Sequence, residues 1–148
     1  VLEKANRARV STVVLDWKRY GPGLSDAILE TVGAKNDLIV LAGFLSILSG
    51  SILEIYRNRI INLHPALLPK YGGKGMYGSH VHAAVIAARE TESGCTVHYV
   101  DEGTDTGPII VQKRVPVLPE DTPERLAARI APYEHEAIVE AIRIVLTI

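Results

Sequence analysis

Asn62 and His64 lie two residues apart in Arg59-Ile-Ile-Asn-Leu-His-Pro-Ala-Leu-Leu-Pro-Lys70, where a short apolar run enters a proline-bounded loop. In an extended segment, residues two apart project from the same face, so this amide and this imidazole converge on one small volume. An amide donor beside a titratable ring suits a carbonyl whose oxygen gains negative charge during attack. A third group with chemical capacity is Asp105, in Val100-Asp-Glu-Gly-Thr-Asp-Thr-Gly-Pro108, where two glycines permit an unusual loop path. If that loop folds over the Asn62/His64 loop, Asp105 holds His64 in one orientation and raises its pKa. Taken by itself, an aspartate between glycines more often supports a turn.

The elements that must position these groups read as α/β. Strands are expected at Ser11 to Asp16, Asp37 to Ala42, Arg59 to Leu63, Cys95 to Val100 and Pro108 to Val117. Helices are expected between them: one from Asp26 after a Gly-Pro-Gly turn, one from Ser51, and one over Val81 to Arg89 with apolar positions at 81, 84, 85 and 88. Asp121-Thr-Pro opens another helix, and Pro132 divides it from a last one over Glu134 to Leu146, so two helices are expected to close the chain. The run Asp37-Leu-Ile-Val-Leu-Ala-Gly-Phe44 is apolar on both faces, as a parallel strand covered by helices would be. In a doubly wound sheet, ligands bind beyond the carboxyl ends of the strands, where Gly43 and the Asn62/His64 loop would both fall.

The chain has 148 residues, an apolar content of 47% and a formal net charge of −1, which suits one compact domain spanning 1–148. Mixed charge offers nothing to a phosphate backbone, so neither a nucleic-acid partner nor a membrane partner is expected. The single cysteine, Cys95, has no internal disulfide partner, and the longest apolar runs are too short to span a bilayer, so the expected location is cytoplasmic.

In order and wording, four segments resemble the folate-dependent formyltransferases: Asp37-Leu-Ile-Val-Leu-Ala-Gly-Phe-Leu-Ser-Ile-Leu48, Ile61-Asn-Leu-His-Pro-Ala-Leu-Leu-Pro69, Thr96-Val-His-Tyr-Val-Asp-Glu-Gly-Thr-Asp-Thr-Gly-Pro108 and Arg129-Ile-Ala-Pro-Tyr-Glu-His135. The resemblance covers essentially the whole chain, and Glu134-His135 favours the phosphoribosylglycinamide formyltransferase branch. It implies a three-layer α/β/α fold with a mostly parallel Rossmann-like sheet, shortened at its amino-terminal end. It also implies formyl transfer from 10-formyltetrahydrofolate to the amine of glycinamide ribonucleotide in purine biosynthesis.

By that resemblance, His64 is the general acid, Asn62 steadies the oxyanion, and Asp105 tunes His64 and assists proton movement through water. The nucleophile is the substrate's own amine, so no activated serine or cysteine is required. The folate would lie along Leu45, Ser46, Ile47 and Leu48, beside Asn62 and under the loop Asp101, Glu102, Gly103, Thr104 and Asp105. Ala131, Pro132, Tyr133 and Glu134 would meet glycinamide ribonucleotide, although a glutamate near a helix start also favours the helix dipole. Two departures stand out. The family's Gly-Ser-Gly-Ser-Asn-type phosphate loop has no counterpart here, and Gly21 occupies the place of an arginine that helps hold folate.

Two other readings remain open at this point. A formyltetrahydrofolate deformylase would use similar residues with water as acceptor. A non-catalytic folate-binding fragment would need a second copy or a complementary chain over an exposed sheet edge. His80 and His82 are two apart in an expected helix and point to different faces, so no metal site is expected. His98 lies mid-strand, where a hydrogen-bonded histidine is the commoner case. The stretch Tyr71-Gly-Gly-Lys-Gly-Met-Tyr-Gly78 lacks the spacing of a P-loop and is expected to be a loop over the site, with Lys74 near a substrate phosphate.

Overall fold

A computed structural model describes residues 1–147. Four strands form the sheet: β1 (Ile39–Leu41), β2 (Ile60–His64), β3 (Glu92–Tyr99) and β4 (Ile109–Pro116), in the spatial order β1-β2-β3-β4. β1 and β2 are parallel, while β3 is antiparallel to both β2 and β4. Three strands therefore run in one direction and β3 runs against them.

Helices cover both faces. α1 (Leu2–Arg7) and α2 (Trp17–Tyr20) precede α3 (Leu24–Val32), followed by α4 (Ser51–Ile55), α5 (Ser79–Ala87) and α6 (Pro123–Thr147). Strand alternation divides the core into two layers. Ile61, Cys95, Val97, Val111 and Val115 pack with Val85 of α5 and with Leu126, Ile130, Ala137 and Ala141 of α6. On the opposite face, Ile60 joins Leu48, Ile52 and Tyr56, with Ile28 and Leu29 of α3 against them. Asn62 and His64 share the parity of Ile60, so β2 carries both toward one side of its carboxyl end.

Three expectations are corrected. Ser11 to Asp16 is not a strand: Val13 and Val14 are 64% and 66% exposed, and the segment pairs with no strand among the described residues. Pro132 does not divide the final helix. α6 runs through it because buried side chains anchor it on both sides, Leu126 and Ile130 before the proline and Ala137 and Ala141 after it. That packing outweighs the one hydrogen bond that proline removes. Third, α5 begins at Ser79, not Val81, after Gly78 at φ 55°.

The loop leaving β2 is tied down from beneath. Thr96 Oγ1 donates to the Ala66 carbonyl at 2.7 Å and accepts from the Leu68 N–H at 3.1 Å and from Gln112 Nε2 at 2.9 Å. Thr96 pairs with His64 across β2 and β3, so one buried hydroxyl fixes the chain just after the imidazole. Among the described residues, no helix is long and apolar enough to cross a membrane.

Candidate active site

The carboxyl ends of β1 and β2 open into a cleft of about 860 Å³, within the size range of small-molecule sites. Asn62, His64 and Asp105 meet in it, as their spacing and loop chemistry suggested. His64 is buried, with Nδ1 3.5 Å from Asp105 Oδ2 and Nε2 2.7 Å from the Tyr71 carbonyl oxygen. A carbonyl only accepts, so that short contact requires a hydrogen on Nε2. Nδ1 is then the nitrogen left to exchange a proton, and it faces the carboxylate.

The electrostatics agree with the expectation that Asp105 raises the His64 pKa, but the net shift is downward. Burial is the largest influence and pushes the imidazole below its ordinary value; the Asp105 carboxylate and the Tyr71 carbonyl pull it back up, and His98 adds to the lowering. Asp105 does favour the imidazolium, but desolvation wins. The Asp105 carboxyl itself is raised by burial, yet His98, His64 and the Gly73 N–H outweigh burial and hold it below the usual carboxylate range. The Gly73 bond, 3.0 Å to Oδ2, ties the glycine-rich loop to this carboxylate. Asp105 has φ 57°, so its loop takes the left-handed turn that the neighbouring glycines suggested.

His98 belongs to the same cluster. It pairs with Asn62 across β2 and β3, its Nδ1–H donates to the Tyr99 carbonyl at 2.8 Å, and its Nε2 lies 3.2 Å from Asn62 Nδ2 and 3.5 Å from Asp105 Oδ1. An amide nitrogen only donates, so at this contact the Asn62 amide turns its NH₂ toward His98 Nε2. One hydrogen of that NH₂ is used there and the other remains for a ligand oxygen. The sequence reading gave His98 a structural part because mid-strand position alone does not reveal its cross-strand partner. The signal that could have found it is the parity it shares with Thr96 on one face of β3.

Of the residues expected along a flat ligand, Leu45, Ser46, Ile47 and Leu48 line the cleft, as do Asp101, Gly103 and Thr104; Glu102 does not. Leu45 and Ile47 are 69% and 63% exposed and form an apolar rim on the cleft. From α6, Ala131 and Glu134 line the cleft, whereas Pro132 and Tyr133 do not, because helical geometry turns them away from the face shared by residues three apart. Burial raises the Glu134 carboxyl, and His135 opposes that. The loop through Gly73, Lys74, Met76 and Gly78 does cover the site. His82, which the sequence reading set aside, also lines the cleft. It is buried, its Nδ1 has no protein partner, and burial with nearby His64 lowers its pKa.

Chemically, the arrangement offers an amide N–H for a developing oxyanion, a buried imidazole with one free nitrogen, and a carboxylate to steady the imidazolium. Comparison with known proteins supplies the chemical context. A model of the formyl transferase family matches residues 1–142. The trifunctional purine biosynthetic protein adenosine-3 of Drosophila melanogaster is 44% identical over 144 residues, covering 95% of this chain and 10% of that protein. A chloroplastic phosphoribosylglycinamide formyltransferase of Vigna unguiculata is 48% identical over 106 residues, covering 72% of this chain and 34% of that protein. The crystal structure of phosphoribosylglycinamide formyltransferase from Bacillus halodurans superposes with a TM-score of 0.88 at 34% identity, covering 99% of this chain and 74% of that one. The chain thus spans a tenth and about a third of the length of these two curated relatives.

Proposed function

The chain belongs to the formyl transferase family, and from that premise we propose that it transfers a formyl group from 10-formyltetrahydrofolate to the primary amine of glycinamide ribonucleotide. The observation that carries this reading is one cleft lined by two sets of residues, Leu45 to Leu48 with the Asp101 to Asp105 loop, and Ala131 with Glu134, with Asn62, His64 and Asp105 in the same cleft. A two-substrate reaction needs such a meeting point. The donor's flat ring system would lie on the apolar rim at Leu45 and Ile47, and the ribonucleotide would lie toward α6, with Lys74 near its phosphate.

The amine attacks the formyl carbon, forming a new C–N bond and leaving negative charge on the formyl oxygen. The free N–H of Asn62 receives that charge. Protonated His64 then delivers its proton to the folate nitrogen as the old C–N bond breaks, and the proton lost by the attacking amine restores the balance through water beside Asp105. Asp105 stabilises the imidazolium while it exists. Holding both substrates in one cleft contributes the rest by positioning.

The outer edge of β1 pairs with no strand among the described residues, and Val40 on it is 38% exposed, which supports cover by a second copy or a complementary chain. Cytoplasmic residence accords with one buried, unpaired cysteine.

The deciding experiment is formyl transfer by the purified chain, with both substrates and with His64→Ala as control. Transfer that disappears in the control supports the reading. Formate release without any need for glycinamide ribonucleotide would replace it with a deformylase, and folate binding without turnover in folded protein would leave a non-catalytic binding unit.

A further inference from the structure

Building on the formyl-transfer reading, we infer that Tyr71 and Glu90 are positioning residues for His64: Glu90 anchors the Tyr71 side chain, and the Tyr71 main chain thereby fixes which imidazole nitrogen carries the hydrogen. The chain of contacts is short. The Tyr71 carbonyl lies 2.7 Å from His64 Nε2, its phenol donates to Glu90 Oε1 at 2.9 Å, and Lys70 Nζ donates to the same oxygen at 3.0 Å.

Backbone conformation explains why the anchor is needed. Tyr71 has φ 56°, a region that residues with a Cβ hold only when their surroundings impose it. The segment that follows supplies little stiffness of its own, since Gly72 and Gly73 come next and Gly73 and Gly75 take φ 90° and 83°, although the Gly73 N–H is tied to Asp105. Between the ties at Leu68 and Gly73, the Tyr71 peptide is anchored by its own side chain, packed against the core beside α5 and hydrogen-bonded to Glu90 in the connection from α5 to β3. Neither Tyr71 nor Glu90 lines the cleft, so neither touches substrate and any effect on chemistry passes through His64.

The consequence is specific to the tautomer. With the carbonyl in place, Nε2 holds its hydrogen and Nδ1 is free to take up and release the proton opposite Asp105. With the carbonyl displaced, the ring can carry its hydrogen on Nδ1 and donate it to Asp105, which leaves the exchanging nitrogen on the wrong side. The Tyr71 carbonyl also opposes the lowering of the His64 pKa by burial, so its displacement moves that pKa further down.

The test compares the wild-type chain, Tyr71→Phe and Glu90→Ala by two-bond ¹H–¹⁵N spectra of the His64 ring, together with kcat and KM across pH. Tyr71→Phe deletes only the hydroxyl, and Glu90→Ala removes a partly exposed side chain, so both variants should fold. Expected are the Nε2–H form in the wild type, a rise of the Nδ1–H form in both variants, kcat lower by about tenfold with KM unchanged, and the high-pH limb of kcat moved to lower pH. Glu90→Gln, which keeps an acceptor oxygen, should recover most of the wild-type behaviour. Wild-type ring spectra and pH profiles in both variants would overturn the inference, even if their melting temperatures fall. If the wild type transfers no formyl group, the functional reading fails, while the ring spectra still decide the positioning role.

Discussion

At the level of single residues, the cluster of His64, Asp105, His98 and Asn62 divides its work by hydrogen-bond direction. Asn62 has one N–H directed at His98 and one to spare, so Asn62→Ala removes the oxyanion donor without removing a core side chain. Its kcat should fall about a hundredfold with the fold intact, read by steady-state kinetics beside a thermal melt. Asp105→Asn tests the electrostatics. The Asp105 charge favours imidazolium, so its loss lowers the His64 pKa below an already depressed value. If His64 acts as the acid, the protonated fraction at neutral pH drops and the descending limb of kcat moves to more acidic pH. A full pH profile in which that limb stays put would take the limb away from His64. Because these groups interact, the limb reports the cluster as a unit. Asn62, His64 and Asp105 were legible in the sequence because a period of two and a glycine-flanked aspartate are local signals. His98 and Tyr71 were not, since the first acts through a cross-strand partner and the second through its main-chain carbonyl.

Secondary-structure elements deliver the groups to that cluster, and two of their joints make sharp predictions. The first is the start of α6, where Arg129 forks onto buried Asp121 at 2.5 and 2.8 Å while Asp121 accepts from the Leu118 N–H. The Arg129 guanidinium, followed by that N–H, holds the Asp121 carboxyl down to about 2. An aspartate unfolds to an ordinary value near 3.9. Its stabilising contribution is therefore whole above about pH 4 and drains away as pH falls toward about 2. Asp121→Asn should lower the melting temperature at neutral pH and flatten its fall across that acid window. Equal slopes in the two proteins would show that the pair does not govern acid unfolding. The second joint is Gly94 in β3, at φ 156°, where an added Cβ would run into the Lys113 main-chain carbonyl on β4. Gly94→Ala should cost about 3 kcal/mol in chemical denaturation, because a paired backbone cannot move aside as a flexible side chain can. Sequence periodicity located β2, β3 and β4 to within a few residues, since alternating burial writes itself into residue type. It misread Pro132 because the tertiary grip on α6 is not visible in the helix's own sequence.

For the whole molecule, the β1 edge pairs with no further strand among the described residues, and an apolar segment near the amino terminus joins no sheet there. Ser11 to Leu15 has the residue types of a strand, yet Val10, Val13 and Val14 stand 58%, 64% and 66% exposed, and Trp17 beyond them 57%. β1 meanwhile offers one row of main-chain groups to β2 and another to no strand among the described residues. A strand pattern can state that a segment wants a neighbour without stating which one, so the residue types of Ser11 to Asp16 predict a strand but not its partner. Unpaired edges with apolar side chains recruit other strands. The chain should therefore self-associate as its concentration rises, seen as a growing fast-moving boundary in sedimentation velocity. Val40→Lys, which puts a charge on that edge at a residue that does not line the cleft, should return the boundary toward monomer while leaving folate binding in the cleft unchanged. A monomer at every concentration would remove the edge from consideration. Association that survives Val40→Lys would move the contact to the β4 edge or to the exposed amino-terminal segment, and truncating residues 1–16 would tell those two apart.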